Sequence, residues 1–322
     1  VYYGQDAFTG LRIMEELMNP NRDAKVTNVS RKRGKKMENM TEEIKTAVIA
    51  RSQIESTHPV PQVPFFGYRL LKNLRMEEIF EWINKISLFR AQWQFRRGNL
   101  NMQDYEKLVK EKVEPLFRDV TQRSLREKFF HPKVLYGFYP CYSENNNLIV
   151  LDESKAKEKV RFTFPRQKKE PYYCLADFFR SKESGELDVA GFQIVTVGSR
   201  VSEVTQELFA ANKYTDYLYL HGLSVESAEG LAEYAHALIR REMGLAHADS
   251  PERSDLYRQG YQGSRYSFGY PACPNLEDHV KLFELLPADK IGITLTEEFQ
   301  LVPEQSTSAI VVHHPKAKYF NI

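Results

Sequence analysis

A chain of 322 residues that is 42% hydrophobic and 27% charged, with 16 Gly and 15 Pro, has the balance of a folded globular protein. That excludes a disordered, collagen-like or disulfide-scaffold polypeptide, and the length suffices for one large domain or two ordinary ones. The 45 Lys and Arg against 43 Asp and Glu leave a formal charge of +2, too near neutral for a general polyanion binder, so no nucleic-acid partner is expected.

Val1–Tyr3 reads as a short strand, and Phe8, Leu11, Ile13, Met14, Leu17 and Met18 form a helical stripe that stops at Asn19-Pro20. A chain that opens inside a strand without an initiator Met reads as a piece of a longer polypeptide. Between Asn21 and Lys36 there are seven basic residues and one acidic one, the pattern of a solvated linker, with a polyanion contact as the alternative. Glu42–Thr57 reads as a helix, and three prolines in His58–Pro64 enforce an extended boundary. Beyond it, Ile79, Phe80, Ile83 and Ile86 predict a helix over Met76–Ser87, with Trp82, Phe89 and Trp93 as core aromatics. Further helices are predicted over Met102–Val113 and Val120–Phe129.

The pattern then changes. Val134–Tyr139, Leu148–Leu151, Val160–Phe164, Tyr173–Asp177 and Val189–Val197 are short β-branched or aromatic runs between polar turns, as in a consecutive antiparallel set. Helical spacing returns at Val201, Val204, Leu208 and Phe209. It returns again from Val225 to Ile239, with Met243-Gly244 as a stop. Asn275–Leu286 predicts a last helix, and Ile291–Leu301 and Ala309–His314 predict late strands. Elements arranged in blocks predict an α+β fold with a mainly antiparallel sheet flanked by helices and preceded by a helical N-terminal segment.

Cys141, Cys174 and Cys273 are far apart and form no C-x-x-C pair, as expected of reduced thiols in a cytoplasmic protein. No apolar run approaches the ~18 residues of a membrane helix, so no membrane partner is expected. His313-His314 and His221 invite a metal reading, but no Cys or carboxylate lies at ligand spacing, so no metal site is assigned. Val197-Gly198-Ser199-Arg200 lacks the context of a phosphate loop.

The most unusual stretch is Arg265-Tyr266-Ser267-Phe268-Gly269-Tyr270-Pro271-Ala272-Cys273-Pro274. Two prolines and a glycine make a rigid loop there. It is either a tight turn packing its aromatics inward, or a binding loop in which Arg265 offers planar donors to a carboxylate and Tyr270 offers a ring face. The binding reading suits a zwitterionic or cationic small ligand. Cys273 has no base in sequence to activate it and reads as a structural thiol.

This stretch resembles the R-x-x-x-G-Y-P-A-C-P signature of the activation domain of cobalamin-dependent methionine synthases. Three further matches follow the family's order: His221-Gly222-Leu223 with Ala228–Tyr234, Pro303–Thr307, and His314–Phe320. The resemblance covers roughly Val63 to Ile322 and divides the chain into three parts. These are the last strand and helix of a cobalamin-binding domain (1–20), a basic linker (21–62) and an S-adenosylmethionine-binding activation domain (63–322). It implies a bent, largely antiparallel sheet with a shallow S-adenosylmethionine site.

The implied activity is that of a methyltransferase module, part of a 5-methyltetrahydrofolate:homocysteine methyltransferase. One electron and the methyl group of S-adenosylmethionine return cob(II)alamin to methylcobalamin, restoring homocysteine methylation. No catalytic acid or base is implied, because the module's task is to position the methyl group. Cobalamin would be held mainly by the preceding domain, and zinc only by a homocysteine module outside these residues. The implied partners are the chain's own cobalamin-binding domain and a flavodoxin-like, ferredoxin-like or reductase electron donor, whose acidic surface the basic linker would favour. The alternatives are a stand-alone corrinoid reactivation protein and a module that senses S-adenosylmethionine without transferring its methyl group.

By the same resemblance, Arg265 would hold the ligand carboxylate, and Gly269, Tyr270 and Ala272 would shape the pocket. Tyr319 and Phe320 would place an aromatic face near the sulfonium. Glu229 matches a family carboxylate that orders the site, against the plainer reading of a helix-surface acid; Glu233, one turn on, is left out. The family's I-D-W-x-P-F-F acid is missing from Ile83-Asn84-Lys85-Ile86-Ser87-Leu88-Phe89, where Lys85 falls roughly at its place; either Asn84 or another acid such as Glu81 replaces that contact, or the ligand affinity differs.

Overall fold

Alternation along two strands builds the centre of the molecule. The computed structural model describes residues 51–54 and 58–322. In β2 (Lys133–Glu144), Val134, Tyr136 and Phe138 enter one apolar layer while Leu135, Tyr139 and Cys141 enter the other. This is the period-two placement a pleated strand imposes. Strand β5 (Asp188–Thr196) is buried along its whole length, so the sheet is covered on both faces.

The other strands are β1 (Gly67–Leu71), β3 (Asn147–Leu151), β4 (Glu158–Thr163), β6 (Ser264–Ser267), β7 (Thr294–Leu295), β8 (Leu301–Val302) and β9 (Ser306–Val312). The main sheet runs β4-β3-β2-β5-β9-β6, with β1 also paired to β2, and every named pair is antiparallel. Strands β2, β3 and β4 are consecutive as expected. The chain then returns to the far edge of β2, and β9 inserts between β5 and β6.

The helices are α1 (Met76–Phe80), α2 (Lys85–Ser87), α3 (Met102–Leu108), α4 (Glu114–Arg126), α5 (Arg200–Ala210), α6 (Tyr214–Glu242), α7 (Arg253–Leu256) and α8 (Asp278–Leu285). They flank the antiparallel sheet, which is the α+β architecture the block order predicted. Among the described residues, no helix is long and apolar enough to cross a membrane.

Several local expectations are corrected. The helix predicted over Met76–Ser87 breaks after Phe80, because Asn84 Oδ1 accepts the N–H groups of Ile86 and Ser87 and starts a new turn. Ile86 is consequently exposed. The strand predicted at Tyr173–Asp177 is a 3₁₀ turn, Leu175–Phe178, folded around the buried Asp177 carboxylate. Gly292 (φ +79°) and Phe299 (φ +61°) interrupt the strand predicted at Ile291–Leu301, leaving only the short β7–β8 ladder. Helix α6 begins eleven residues before Val225, and Arg265 lies on strand β6 rather than in a loop. The helices predicted over Met102–Val113 and Val120–Phe129 are joined through a π-helical turn at Val109–Val113.

The opening strand and helix, the basic run and most of the Glu42–Thr57 helix lie outside the described residues. Arg51–Ile54, at the end of that predicted helix, is not helical.

Candidate functional site

Strand β6 pairs with β9 so that Arg265 lies opposite Val311. Its neighbour Tyr266 turns into the core, so Arg265 faces the other way, toward α6. Glu229 and Glu233, four residues apart on that helix, share a face and meet it. Arg265 Nη2 donates to Glu229 Oε2 and to Glu233 Oε1, each at 3.0 Å, and Nε reaches Glu233 Oε1 at 3.4 Å. Burial pulls the guanidinium pKa down, but the two carboxylates more than offset it and hold the value above its ordinary position. Arg265 is 13% exposed, Glu233 15% and Glu229 46%, so Glu229 is the partner with room to move. Glu233, not among the residues the resemblance implies, is thus Arg265's more buried partner. Its place one helical turn from Glu229 was the available signal.

The turn after β6 fixes the next residues. Gly269 N–H donates to Cys273 O and Cys273 N–H to Tyr270 O, each at 2.9 Å, with Pro271 preset for the second position of the turn. Gly269 sits at φ +91°, and a Cβ there would stand 2.9 Å from Leu276 Cδ2, so the turn demands glycine. Ala272 and Cys273 are buried, so Ala272 can offer a ligand little beyond its backbone. Cys273 Sγ donates to Ser267 O at 3.0 Å, and burial pushes its thiol pKa far up, the behaviour of a structural thiol. Tyr270 stays 41% exposed. Burial and then Glu229 raise its phenol pKa while Arg265 lowers it, which places that hydroxyl within the Arg265 cluster's field.

The C-terminal segment is tied to the same strand. Tyr266 Oη donates to Lys318 O at 2.9 Å; Gln259 accepts from Tyr319 N–H at 3.4 Å and donates to Ser264 Oγ at 3.2 Å. Tyr319 is 43% exposed. Phe320 points the other way, its ring packed on Tyr173, Phe178 and Tyr266 at 5.7–6.0 Å. Of the two aromatic faces expected at the ligand, Phe320 is therefore corrected to a core residue.

The segment that lacks the family's acid borders α6 closely. A Cβ on Gly230 would lie 3.1 Å from the Trp82 carbonyl carbon and oxygen, and Tyr257 Oη donates to Trp82 O at 2.9 Å. The Asn84 side chain caps α2, and Lys85 turns to Glu114 at 3.1 Å. Glu81 is exposed, with Arg253 3.5 Å away. A different acid is buried here: Glu226, one turn before Glu229, accepts from Ser87 Oγ at 2.6 Å and from Gln92 Nε2 at 3.4 Å. Burial raises its pKa. Glu226 had no motif to mark it; only its spacing from Glu229 and Glu233 could have suggested it. A cavity of about 460 Å³ between Lys85–Arg90 and Met102–Glu114 shares no residue with the Arg265 cluster.

His236, three residues after Glu233 on α6, is fully buried. Both its ring nitrogens are buried without a hydrogen bond among the described residues, and its ring meets Tyr261 edge-on at 4.9 Å. Burial, then Arg240 and Arg265, pull its pKa well below the ordinary 6.5, and burial lowers His279 in the same direction. The unfolded chain therefore binds more protons than the folded one below about pH 6.5. The stability these neutral rings contribute is complete above that pH and is lost as the pH falls toward their folded values. His236→Leu is expected to flatten the fall in melting temperature between about pH 7 and pH 5. Melting curves that fall in parallel for both proteins would contradict this.

The chain matches the family model described as vitamin B12 dependent methionine synthase, activation domain, over residues 75–322. It is 39% identical over 355 residues to the methionine synthase of Mycobacterium tuberculosis (strain ATCC 25618 / H37Rv), with 100% of this chain and 30% of that protein covered. It is also 39% identical over 358 residues to that of Mycobacterium leprae (strain TN), with the same shares covered. The fold is similar to a crystal structure of the MetH reactivation domain bound to AdoHcy, with a TM-score of 0.74 and 26% identity. That match covers 83% of this chain and 85% of the other. The chain thus spans about 30% of the length of the curated relatives it matches.

Proposed function

The chain belongs to the family of vitamin B12 dependent methionine synthase activation domains, and on that premise we propose that it binds S-adenosylmethionine and presents its methyl group for reductive reactivation of cobalamin. The observation that carries this reading is the Arg265–Glu229–Glu233 cluster beside the exposed Tyr270. A guanidinium, a half-exposed carboxylate and a phenol ring suit the carboxylate, ammonium and sulfonium of such a ligand. Support also comes from the AdoHcy carried by the similar reactivation domain.

The cluster has an exchange built into it. Arg265 Nη1 makes no hydrogen bond among the described residues, since Nε and Nη2 serve Glu229 and Glu233. A ligand carboxylate takes Nη1 and displaces Glu229 from Nη2, and Glu229 then turns to the ligand ammonium. Glu233 keeps Arg265 in place. Glu226, one turn before Glu229, holds Ser87 and Gln92. Ala272 offers backbone groups only, and Tyr319 supplies the second exposed ring.

Cobalamin, held mainly by a preceding domain, supplies the cobalt nucleophile when bound. The residues described here bind and orient the methyl donor and contribute no acid or base. The partners in this reading are the chain's own cobalamin-binding domain, of which residues 1–20 would be the last strand and helix, joined through the linker (21–62) to the activation domain (63–322), and a flavodoxin-like, ferredoxin-like or reductase donor. The setting is cytoplasmic, and the whole protein is a 5-methyltetrahydrofolate:homocysteine methyltransferase.

The test is a single turnover with chemically reduced cobalamin and methyl-labelled S-adenosylmethionine, using the chain together with a cobalamin-binding domain. Label is expected on cobalamin, and Arg265→Ala is expected to abolish the transfer. Binding of S-adenosylmethionine with no transferred label would favour a sensing module instead.

A further inference from the structure

A second cluster of chemistry-bearing side chains shares no residue with the Arg265 site. The β5–β9 register that sets Gly191 opposite Val311 brings Asp188, where β5 begins, beside His313, just past the end of β9. His313 Nε2 and Asp188 Oδ1 are 2.6 Å apart and both residues are buried. The ring of His58 lies 4.8 Å from that of His313 and 4.3 Å from that of His314. One potential ligand atom from each of His58, Asp188 and His313 falls within 4.8 Å of the other two. Nδ1 and Nε2 of His58 and Nδ1 of His313 are buried and have no hydrogen-bond partner among the described residues. Interior polar atoms are rarely left so, because desolvation without a compensating hydrogen bond is unfavourable.

We propose that His58, Asp188 and His313 bind a single divalent d-block cation, with zinc as the reference ion. Two imidazoles and a carboxylate are the donor set of three-ligand zinc sites that keep a fourth position for water. His58 offers two buried ring nitrogens that no other described residue uses, and a metal takes one of them through its lone pair. The Asp188 carboxylate accepts the backbone N–H groups of Arg180 and Val189 at 2.8 and 2.7 Å. Those backbone donors fix the carboxylate as an outer shell would.

Bonds of ~2.0–2.1 Å in a tetrahedral site put ligand atoms roughly 3.3 Å apart, so the His313–Asp188 pair, now at 2.6 Å, must open slightly, and His58, whose donor lies within 4.8 Å of the others, must move inward. His58 is the one able to shift: it precedes Pro59 in an extended, partly exposed segment, held near the cluster by Arg180 Nη2 donating to its carbonyl at 2.9 Å. On loading, the His313 Nε2–Asp188 hydrogen bond is replaced by metal bonds from both residues, and the imidazole carries its proton on Nδ1. The Arg180 guanidinium beside the site opposes the added positive charge and keeps the affinity moderate.

The test uses the tag-free, chelator-treated chain titrated with Co²⁺ and then with Zn²⁺. About one equivalent of Co²⁺ is expected to bind with the visible ligand-field absorption of a four-coordinate ion, and Zn²⁺ is expected to displace it and raise the melting temperature. His58→Ala lies outside the sheet and is expected to keep the metal-free melting temperature while weakening Co²⁺ binding by at least ~100-fold. His221→Ala, on α6, is the control that keeps the parent affinity. Absence of stoichiometric Co²⁺ binding, or equal affinity in His58→Ala and the parent, would overturn the assignment.

Discussion

Arg265→Ala is expected to weaken S-adenosylmethionine binding by at least about 100-fold, the largest functional effect of any single substitution in this chain. The magnitude follows from losing charge-assisted hydrogen bonds to the ligand carboxylate, each worth about 1.5–3 kcal/mol in a partly buried site. The substitution also leaves Glu229 and Glu233 facing each other without the cation that both accept from. Some loss of melting temperature therefore accompanies the loss of affinity. Arg265→Lys separates the two effects, because it keeps the charge and loses the fork. Its melting temperature is expected near that of the parent, with affinity still well below it. Calorimetric titration of the three proteins measures this, and parent-like affinity in Arg265→Ala would remove Arg265 from the site.

Asp177→Ala carries the largest expected effect on stability, a loss of about 3–5 kcal/mol, because it strands a buried cation. Arg166 Nη2 donates to Asp177 Oδ1 at 2.9 Å, with the Arg166 side chain 5% and the Asp177 side chain 0% exposed. The same carboxylate accepts from Ser52 Oγ at 2.6 Å and from Cys174 N–H at 3.3 Å. It thus joins the 3₁₀ turn, the loop after β4 and the start of the described chain. Asp177→Asn keeps the shape and some of these bonds and is expected to lose less. Urea unfolding of both variants reads the difference, and a loss under about 1 kcal/mol in Asp177→Ala would mean that the junction is solvated.

Strands β2, β3, β4, β5 and β9 are legible because they are β-branched or aromatic runs punctuated by polar turns, whereas β1 (Gly67–Leu71) and β6 (Ser264–Ser267) carry no such run and are missed. Alternation between two apolar layers then emerged from the same residues that signalled the strands. Helix α6 was recognised only from Val225 onward, since its first turns, Tyr214-Thr215-Asp216-Tyr217, show no apolar stripe. The broken helix at Asn84 was concealed by Ile79, Ile83 and Ile86, which keep helical spacing across a cap that only the Asn side chain creates.

Within the candidate site, Arg265, Gly269 and Tyr270 were readable from one rigid stretch. Glu233 was visible as a face-mate of Glu229 yet indistinguishable from a solvated acid. Tyr319 and Phe320 are adjacent in sequence and part ways only through packing, which the sequence does not record. The His313–Asp188 contact spans 125 residues, and its formation depends on strand register rather than on any local motif.

Equilibrium calorimetric titration of the chain with S-adenosylmethionine tests most directly whether Arg265, Glu229, Glu233 and Tyr270 form a site for that ligand. The expected result is saturable binding of about one equivalent, competed by AdoHcy. No heat of binding up to about 1 mM ligand would contradict it.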